Sequence, residues 1–414
     1  MIPKLDKYPI NRLIDNQQHH QGTSHNHTID NLSPFEDSII EALSLLGQHL
    51  ITNGRNHSDI VAAGFWLRKT RLVNFKTSYL EEKTIEKNTN GKKSEQALKA
   101  KGCVFHLAPG NVDTLFFYSI MLSVLCGNYS VLRISNKLSE LSQTLIRLIN
   151  QCIAQHSQYA HVWQLIDIIQ YDHNDELTSY ISQYADVRVI WGGNKTVEDI
   201  SQLPLKNKGN NVCFPDRYSV AVVQLTNELH LDAAIKKCVS DIKPFFQQAC
   251  SSPKVIYWLN TDKKLQTLFW QGVAKKLNEQ LKDNENLAGS DLIARLIYKQ
   301  QLPLLVKPEK LRSKQLYSWD KSPLNVVELT KINLETILQH CGLWVMLSKQ
   351  LIKMDEIRLF DHCQTVTMFG VNDNEWKNWL DTTNEPMKRW VPAGQALAFS
   401  HVWDGIDLID SFTI

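Results

Sequence analysis

Short apolar runs alternate with segments of helical length from residue 104 onward, and this alternation constrains the fold more than any other feature of the chain. Residues 104–107, 130–134, 165–169 and 187–191 are runs of strand length dominated by Val, Ile and Leu. Residues 114–125, 139–154 and 176–184 lie between them and read as helices, and another helix is expected to begin near Thr196. A second alternation starts at Ser219, with strand 220–223, helix 231–248, strand 255–259 and helix 265–281. Pro244 sits inside the helix 231–248 and is expected to kink it or end it early. Strands and helices alternating at this spacing build parallel sheets covered by helices, so the chain reads as α/β. Ligands bind such sheets at the carboxyl ends of the strands.

Asn210-Asn211 and Pro215-Asp216 punctuate the chain between the two alternations. The expected division is therefore residues 1–100 as a helical and irregular segment packing on the first domain, 101–217 as that domain, 218–395 as a second, and 396–414 as a C-terminal segment. Helices are expected over 37–50 and 58–71, and residues 84–100 read as a polar loop or exposed helix. Residues 16–34 are polar and carry His19, His20, His25 and His27. No cysteine or close acidic partner completes a ligand spacing there, so a solvated loop is expected rather than a metal site.

The 414 residues suffice for two or more domains with real cores. A charged fraction of 21% and a hydrophobic fraction of 43% fit a soluble globular protein, and a net charge of +2 gives no argument for nucleic acid. The eight cysteines form no CxxC pair, which argues against a zinc ribbon or thioredoxin-like motif. Cys126, Cys152 and Cys238 fall on apolar faces and read as buried small hydrophobes. Scattered thiols in a chain of this size fit a reducing cytoplasm. The N-terminus has no signal-peptide hydrophobic region, and the most apolar run, 112–126, contains Asp113 and falls short of the roughly 20 residues a bilayer span needs.

Two segments carry candidate chemistry. Phe245-Phe246-Gln247-Gln248-Ala249-Cys250-Ser251-Ser252-Pro253 places one cysteine where a helix runs out and a strand begins. His106-Leu107-Ala108-Pro109-Gly110-Asn111 places an asparagine just beyond a strand end. Together they offer a thiol nucleophile and an amide that could stabilise an oxyanion. Plainer readings stand beside these. Cys250 could be another buried thiol, Asn111 a helix N-cap, Arg133 a surface charge, Gly192-Gly193 a simple turn, and His106 a satisfied core histidine.

Three segments resemble the aldehyde dehydrogenase superfamily: Pro109-Gly110-Asn111 followed by 125–135, Trp191-Gly192-Gly193, and 232–250. The nearer resemblance is to the LuxC-type fatty acyl-CoA reductases of bacterial bioluminescence operons. It rests on Gln247-Gln248-Ala249-Cys250-Ser251-Ser252-Pro253, Trp191-Gly192-Gly193-Asn194, Val391-Pro392-Ala393-Gly394-Gln395-Ala396 and Trp403-Asp404-Gly405. The resemblance runs from about residue 100 to the C-terminus. It implies an aldehyde-dehydrogenase-like fold, with a Rossmann-type cofactor domain over 101–217 and an α/β catalytic cysteine domain over 218–395.

The resemblance also implies a reaction. Cys250 would attack an acyl-CoA thioester, with the Asn111 amide and the Cys250 backbone N–H stabilising the oxyanion. NADPH would reduce the resulting acyl-enzyme to an aldehyde. Pro109, Gly110, Arg133, Ser135, Gly192 and Gly193 would contact the cofactor. Arg133 stands where aldehyde dehydrogenases usually have lysine, and its fork could pair with a phosphate. Residues 211–217 contain no glutamate where aldehyde-oxidising relatives carry their deacylating base, and Asp216 is the nearest carboxylate. An acyl-protein donor, an acyl-protein synthetase partner and a homo-oligomer are further implications. An acyl-phosphate or semialdehyde reductase, and a cysteine acyltransferase without redox chemistry, remain alternatives.

Overall fold

The computed structural model describes residues 10–14, 32–89, 98–108, 115–136, 138–281, 289–305, 316–319, 322–382, 387, 389–398 and 400–414. The chain divides into two compact units, Met1–Pro215 with His401–Ile414, and Asp216–Ser400. Pro109, Gly110, Asn111 and the histidines at 19, 20, 25 and 27 lie outside the described residues.

The first unit is built on a six-stranded sheet. Its strands are β1 (Asn11–Arg12), β2 (Cys103–Leu107), β3 (Tyr129–Ile134), β4 (Ile166–Gln170), β5 (Val187–Trp191) and β6 (Asn210–Phe214), in the order β1-β4-β3-β2-β5-β6. Strands β2 to β6 are parallel and β1 runs antiparallel at the edge. The chain winds outward from β2 to β3 and β4, then returns to β5 and β6 on the other side. The direction reverses between β2 and β5, the place where sheets of this kind leave a crevice for a ligand. Residues on both faces of the central strands are buried, which is why these segments read as continuous apolar runs.

Helices Leu115–Leu125, Glu140–Gln155, Asp175–Ser182 and Asn194–Gln202 follow β2 to β5. Ser139 caps the second by accepting the Ser142 N–H at 3.0 Å, and Asn174 caps the third by accepting the Leu177 N–H at 2.8 Å. The expected helices and strands of this unit are present, with differences at the edge strand β1, which was not expected, at β6 and after Trp66. Strand β6 occupies residues where only punctuation was expected, because Asn210 and Asn211 are exposed at the start of an edge strand. The helix expected over 58–71 ends at Trp66, and a separate helix runs Lys69–Thr89. Helices Asp37–Asn53 and Ser58–Trp66 meet at Gly47 and Gly64, where a Cβ on Gly64 would stand 2.7 Å from the Gly47 carbonyl oxygen. The C-terminal residues join this unit: the Lys101 N–H and the Asn128 amide both donate to the Phe412 carbonyl at 3.0 Å.

The second unit holds a seven-stranded sheet in the order β13-β12-β7-β8-β11-β10-β9. The strands are β7 (Tyr218–Val223), β8 (Pro253–Leu259), β9 (Leu316–Ser318), β10 (Asn325–Glu328), β11 (Val345–Leu351), β12 (Cys363–Phe369) and β13 (Arg389–Pro392). Only the β9 pairing is antiparallel among those described. Strand β8 is central and buried throughout. Its Val255, Tyr257 and Leu259 join the core with Val220 and Trp376, whereas Ile256 and Trp258 join the opposite core with Val239, Phe269 and Trp270. The helix expected over 231–248 stops at Ile242. Pro244 supplies no N–H for a further turn, and the next residues leave helical geometry.

Candidate active site

The segment between helix Leu231–Ile242 and β8 is an unusual piece of backbone. Phe245, Phe246 and Gln247 all have left-handed φ, at 52°, 52° and 63°. Each such residue costs roughly 1 to 2 kcal/mol without glycine, so the turn must be held by its surroundings. A second left-handed run supports it: Gly342, Leu343 and Trp344 have φ of 72°, 54° and 58°. The Leu343 N–H donates to the Phe246 carbonyl at 2.7 Å, and the Trp344 indole N–H donates to the Ile242 carbonyl at 3.0 Å. The Phe246 and Trp344 rings pack edge to face at 5.4 Å. A Cβ at Gly342 would lie 2.7 Å from the Gln247 carbonyl oxygen, so this close approach requires glycine.

Cys250 follows this turn and is half-buried, at the amino end of β8. Its carbonyl accepts the Ser219 hydroxyl of β7 at 2.7 Å, and the same hydroxyl oxygen accepts the Thr365 N–H of β12 at 3.2 Å. The fully buried Gln247 side chain donates to the Pro253 carbonyl at 2.9 Å, bridging across the cysteine loop. The loop is therefore anchored on three neighbouring strands, with Cys250 itself half-buried.

Lys254 lies next to this loop, 6% exposed, and its ammonium donates to the Gln247 carbonyl. Burial pulls its pKa down to about 8, against upward pulls from Cys250 and Cys341. His340 is held well below its ordinary pKa by burial and by Lys254. Its Nδ1 accepts the Gly342 N–H at 2.9 Å, which leaves the proton on Nε2. Burial raises the Cys341 thiol to about 11, with Lys254 and Arg295 acting in the opposite direction.

In the first unit, the other expected site residues lie at strand ends. Arg133 is the penultimate residue of β3, where its Nη2 donates to the Tyr171 carbonyl at 3.1 Å and its Cζ lies 5.1 Å from the Tyr171 ring centre. Its buried Nε finds no partner among the described residues. Ser135 follows, its carbonyl accepting the Gln170 amide at 3.2 Å. A cleft of about 450 Å³ opens beside them, lined by Asn136, Gln170, Tyr171 and Asn174 among others. Gly192 and Gly193 follow β5, and Gly193 is the N-cap of helix Asn194–Gln202. Trp191 stacks on Phe214 at 3.8 Å and meets Trp403 edge-on at 6.1 Å, which brings two of the sequence motifs together. His106 is fully buried and half-satisfied: Nδ1 bonds the Ser119 hydroxyl at 2.9 Å, while Nε2 has no partner among the described residues.

The tail motif belongs to the second unit. The Gly394 and Ala396 N–H groups donate to the two carboxylate oxygens of Asp241 at 2.7 and 2.9 Å. Asp241 is 2% exposed, and burial raises it to about 6 despite these bonds. Asp241, Lys254 and Ser219 did not stand out in the sequence as candidates, because each looks like an ordinary member of its helix, strand or loop. Lys254 alone left a signal: a lysine in an otherwise apolar central strand.

The sequence profile of the acyl-CoA reductase (LuxC) family matches residues 50–406. The chain belongs to this family. It is 24% identical over 181 residues to long-chain acyl-protein thioester reductase 2 of Photobacterium leiognathi, covering 43% of this chain and 36% of that protein. It is 22% identical over 184 residues to the long-chain acyl-protein thioester reductase of Aliivibrio fischeri, covering 44% and 36%. The matched stretch thus spans little more than a third of each relative. Aldehyde dehydrogenase 21 of Physcomitrella patens superposes with a TM-score of 0.60 at 12% identity, over 93% of this chain and 86% of that one. The indole-3-acetaldehyde dehydrogenase of P. syringae, solved with NAD+, superposes with a TM-score of 0.61 at 12% identity, over 92% and 83%. This LuxC-family chain therefore has the aldehyde dehydrogenase fold. No helix among its described residues is long and apolar enough to cross a membrane.

Proposed function

We propose that this chain reduces a fatty acyl thioester to the aldehyde through an acyl-Cys250 intermediate, with NADPH as reductant. The observation that carries this reading is the Cys250 loop in a LuxC-family chain: a half-buried cysteine just after a left-handed turn, with a buried lysine bonded to that turn. The Cys250 thiolate attacks the acyl carbonyl and expels the thiol of the carrier. The Asn111 amide and the Cys250 N–H are the proposed oxyanion donors, and losing one such donor costs roughly 100- to 1000-fold in rate.

The first unit's residues fit a dinucleotide. The strand order leaves a crevice between β2 and β5, a cleft lies at the ends of β3 and β4, and the buried Nε of Arg133 has no partner among the described residues. Arg133 and Ser135 are proposed for the adenosine side, with Arg133 pairing a 2′-phosphate. Pro109, Gly110, Gly192 and Gly193 are proposed where backbone must approach the cofactor. The bound dinucleotide supplies the hydride that reduces the acyl group. The absence of glutamate from 211–217 favours reduction over hydrolysis.

The relatives' names support a protein-borne long-chain acyl group as donor and the family's name supports CoA; we also propose an acyl-protein synthetase partner and a homo-oligomer. Incubation with labelled acyl-CoA followed by peptide mapping tests the first step. Label on the Cys250 peptide, absent in Cys250→Ala, is expected; label elsewhere, with Cys250 unmodified, would overturn the reading.

A further inference from the structure

We infer that Lys254 is a positioning residue for Cys250: its buried ammonium keeps the neighbouring sulfur as thiolate and, through the Gln247 carbonyl, fixes the turn that presents it. The inference rests on Cys250 being the acyl-accepting thiol.

A lysine on the central strand of a parallel sheet is a costly choice. Burying an ammonium is unfavourable by several kcal/mol unless counter-charge and hydrogen bonds compensate. Arg188, a fully buried cation in the first unit, shows what compensation looks like: its donors reach Asn211 Oδ1 at 2.9 Å, the Ser182 hydroxyl at 2.9 Å, and the Ser201 and Leu203 carbonyls at 3.3 and 3.2 Å. Lys254 has three donor hydrogens. Among the described residues it bonds only the Gln247 carbonyl, and no carboxylate lies within ion-pair distance. Apolar β8 residues such as Val255 and Ile256 show that the strand itself does not require charge here.

The groups facing Lys254 explain its retention. On its own segment the ionisable partner is Cys250, and from the segment before β11 come His340 and Cys341. His340 is neutral, since burial and Lys254 both disfavour its charged form. Arg295 and Tyr298, on helix Gly289–Leu305, act electrostatically on Cys341. The two thiols are thus the groups around Lys254 that can take a negative charge. Cys341 is pushed up to about 11 and stays protonated near neutral pH. Cys250, three residues beyond the Gln247 carbonyl that Lys254 holds, is the other thiol that interacts with this charge. A fixed cation in a low-dielectric setting lowers a neighbouring thiol's pKa, and the thiolate is the nucleophile.

The test is the pH dependence of Cys250 alkylation by iodoacetamide, read by mass spectrometry of the Cys250 peptide, in the full chain without cofactor. Lys254→Met removes charge and hydrogen bond; Lys254→Gln removes charge but keeps a donor; Lys254→Arg keeps the charge. The Met and Gln variants should raise the alkylation midpoint by one pH unit or more and slow alkylation at pH 7 about tenfold. Lys254→Arg should restore most of the shift. Coincident profiles for wild type and Lys254→Gln, with circular dichroism unchanged, would reduce Lys254 to a structural donor and overturn the inference. The alkylation readout needs no acyl substrate, so a failure of acyl transfer to Cys250 would count against the proposed reaction and leave this result standing.

Discussion

The ammonium of Lys254 donates to the carbonyl of Gln247, across the turn that presents Cys250. The strand that starts just beyond the thiol therefore reaches back to hold the turn that precedes it. The turn is left-handed at three consecutive positions and docks on a second left-handed run at 342–344. Its geometry depends on a few contacts whose removal has calculable consequences.

Gly342 is the tightest of these. An alanine there would place its Cβ 2.7 Å from the Gln247 oxygen at a φ of +72°. Gly342→Ala should cost at least about 1 to 2 kcal/mol of stability from the left-handed conformation alone. It should also slow Cys250 alkylation. Urea unfolding together with thiol labelling checks both, and wild-type values in both would show the docking of the two turns to be incidental.

The lowered pKa of Lys254, about 8 against 10.5, has a definite sign in stability. A base held below its unfolded value contributes stability above that value and loses it as pH falls through the folded value. In a Cys250→Ala background, the chain with Lys254 should gain on the order of 3 kcal/mol over Lys254→Met between pH 8 and 10.5. Urea titrations at the two pH values read the difference. Parallel stabilities would mean that Lys254 is solvated rather than buried.

His106 gives the acid counterpart. Burial holds it near pH 3 rather than 6.5, so its stabilising contribution is complete above 6.5 and lost as pH falls through 3. Relative to His106→Asn, the wild type should lose up to about 5 kcal/mol over that window. Equal acid sensitivity of the two proteins would contradict this.

Asp241 joins helix Leu231–Ile242 to the tail motif through the Gly394 and Ala396 amides. Asparagine can accept one of these bonds but faces the other N–H with its own donor. Asp241→Asn should destabilise the second unit by roughly 1 to 3 kcal/mol and increase hydrogen exchange at Gly394 and Ala396. Unchanged exchange at those amides would remove Asp241 from the anchoring role.

Much of the sheet architecture was legible because parallel strands buried on both faces are short runs of Val, Ile and Leu, as in 130–134 and 255–259. The edge strand β6 escaped notice because exposed Asn210 and Asn211 give it the look of a turn. Pro244 announced the end of a helix, but nothing in Phe245-Phe246-Gln247 announced left-handed backbone, since none is glycine. That conformation is imposed by the facing run at 342–344, nearly a hundred residues away in sequence. Beyond residue 281, short strands such as β9 and β10 carry too few residues for periodicity to separate them from loops. Cys250 drew attention as a candidate through its flanking motif, whereas Lys254 stands out only once its burial and its bond to the Gln247 carbonyl are seen.

The most direct measurement is NADPH oxidation with acyl thioesters of increasing chain length, on CoA and on a carrier protein, with the aldehyde quantified, for wild type and Cys250→Ala. Acyl-dependent oxidation with stoichiometric aldehyde, lost in Cys250→Ala, is the expected result. Aldehyde formation at the wild-type rate by Cys250→Ala, or acylation of Cys250 that releases only free acid and never oxidises NADPH, would contradict reduction through an acyl-cysteine.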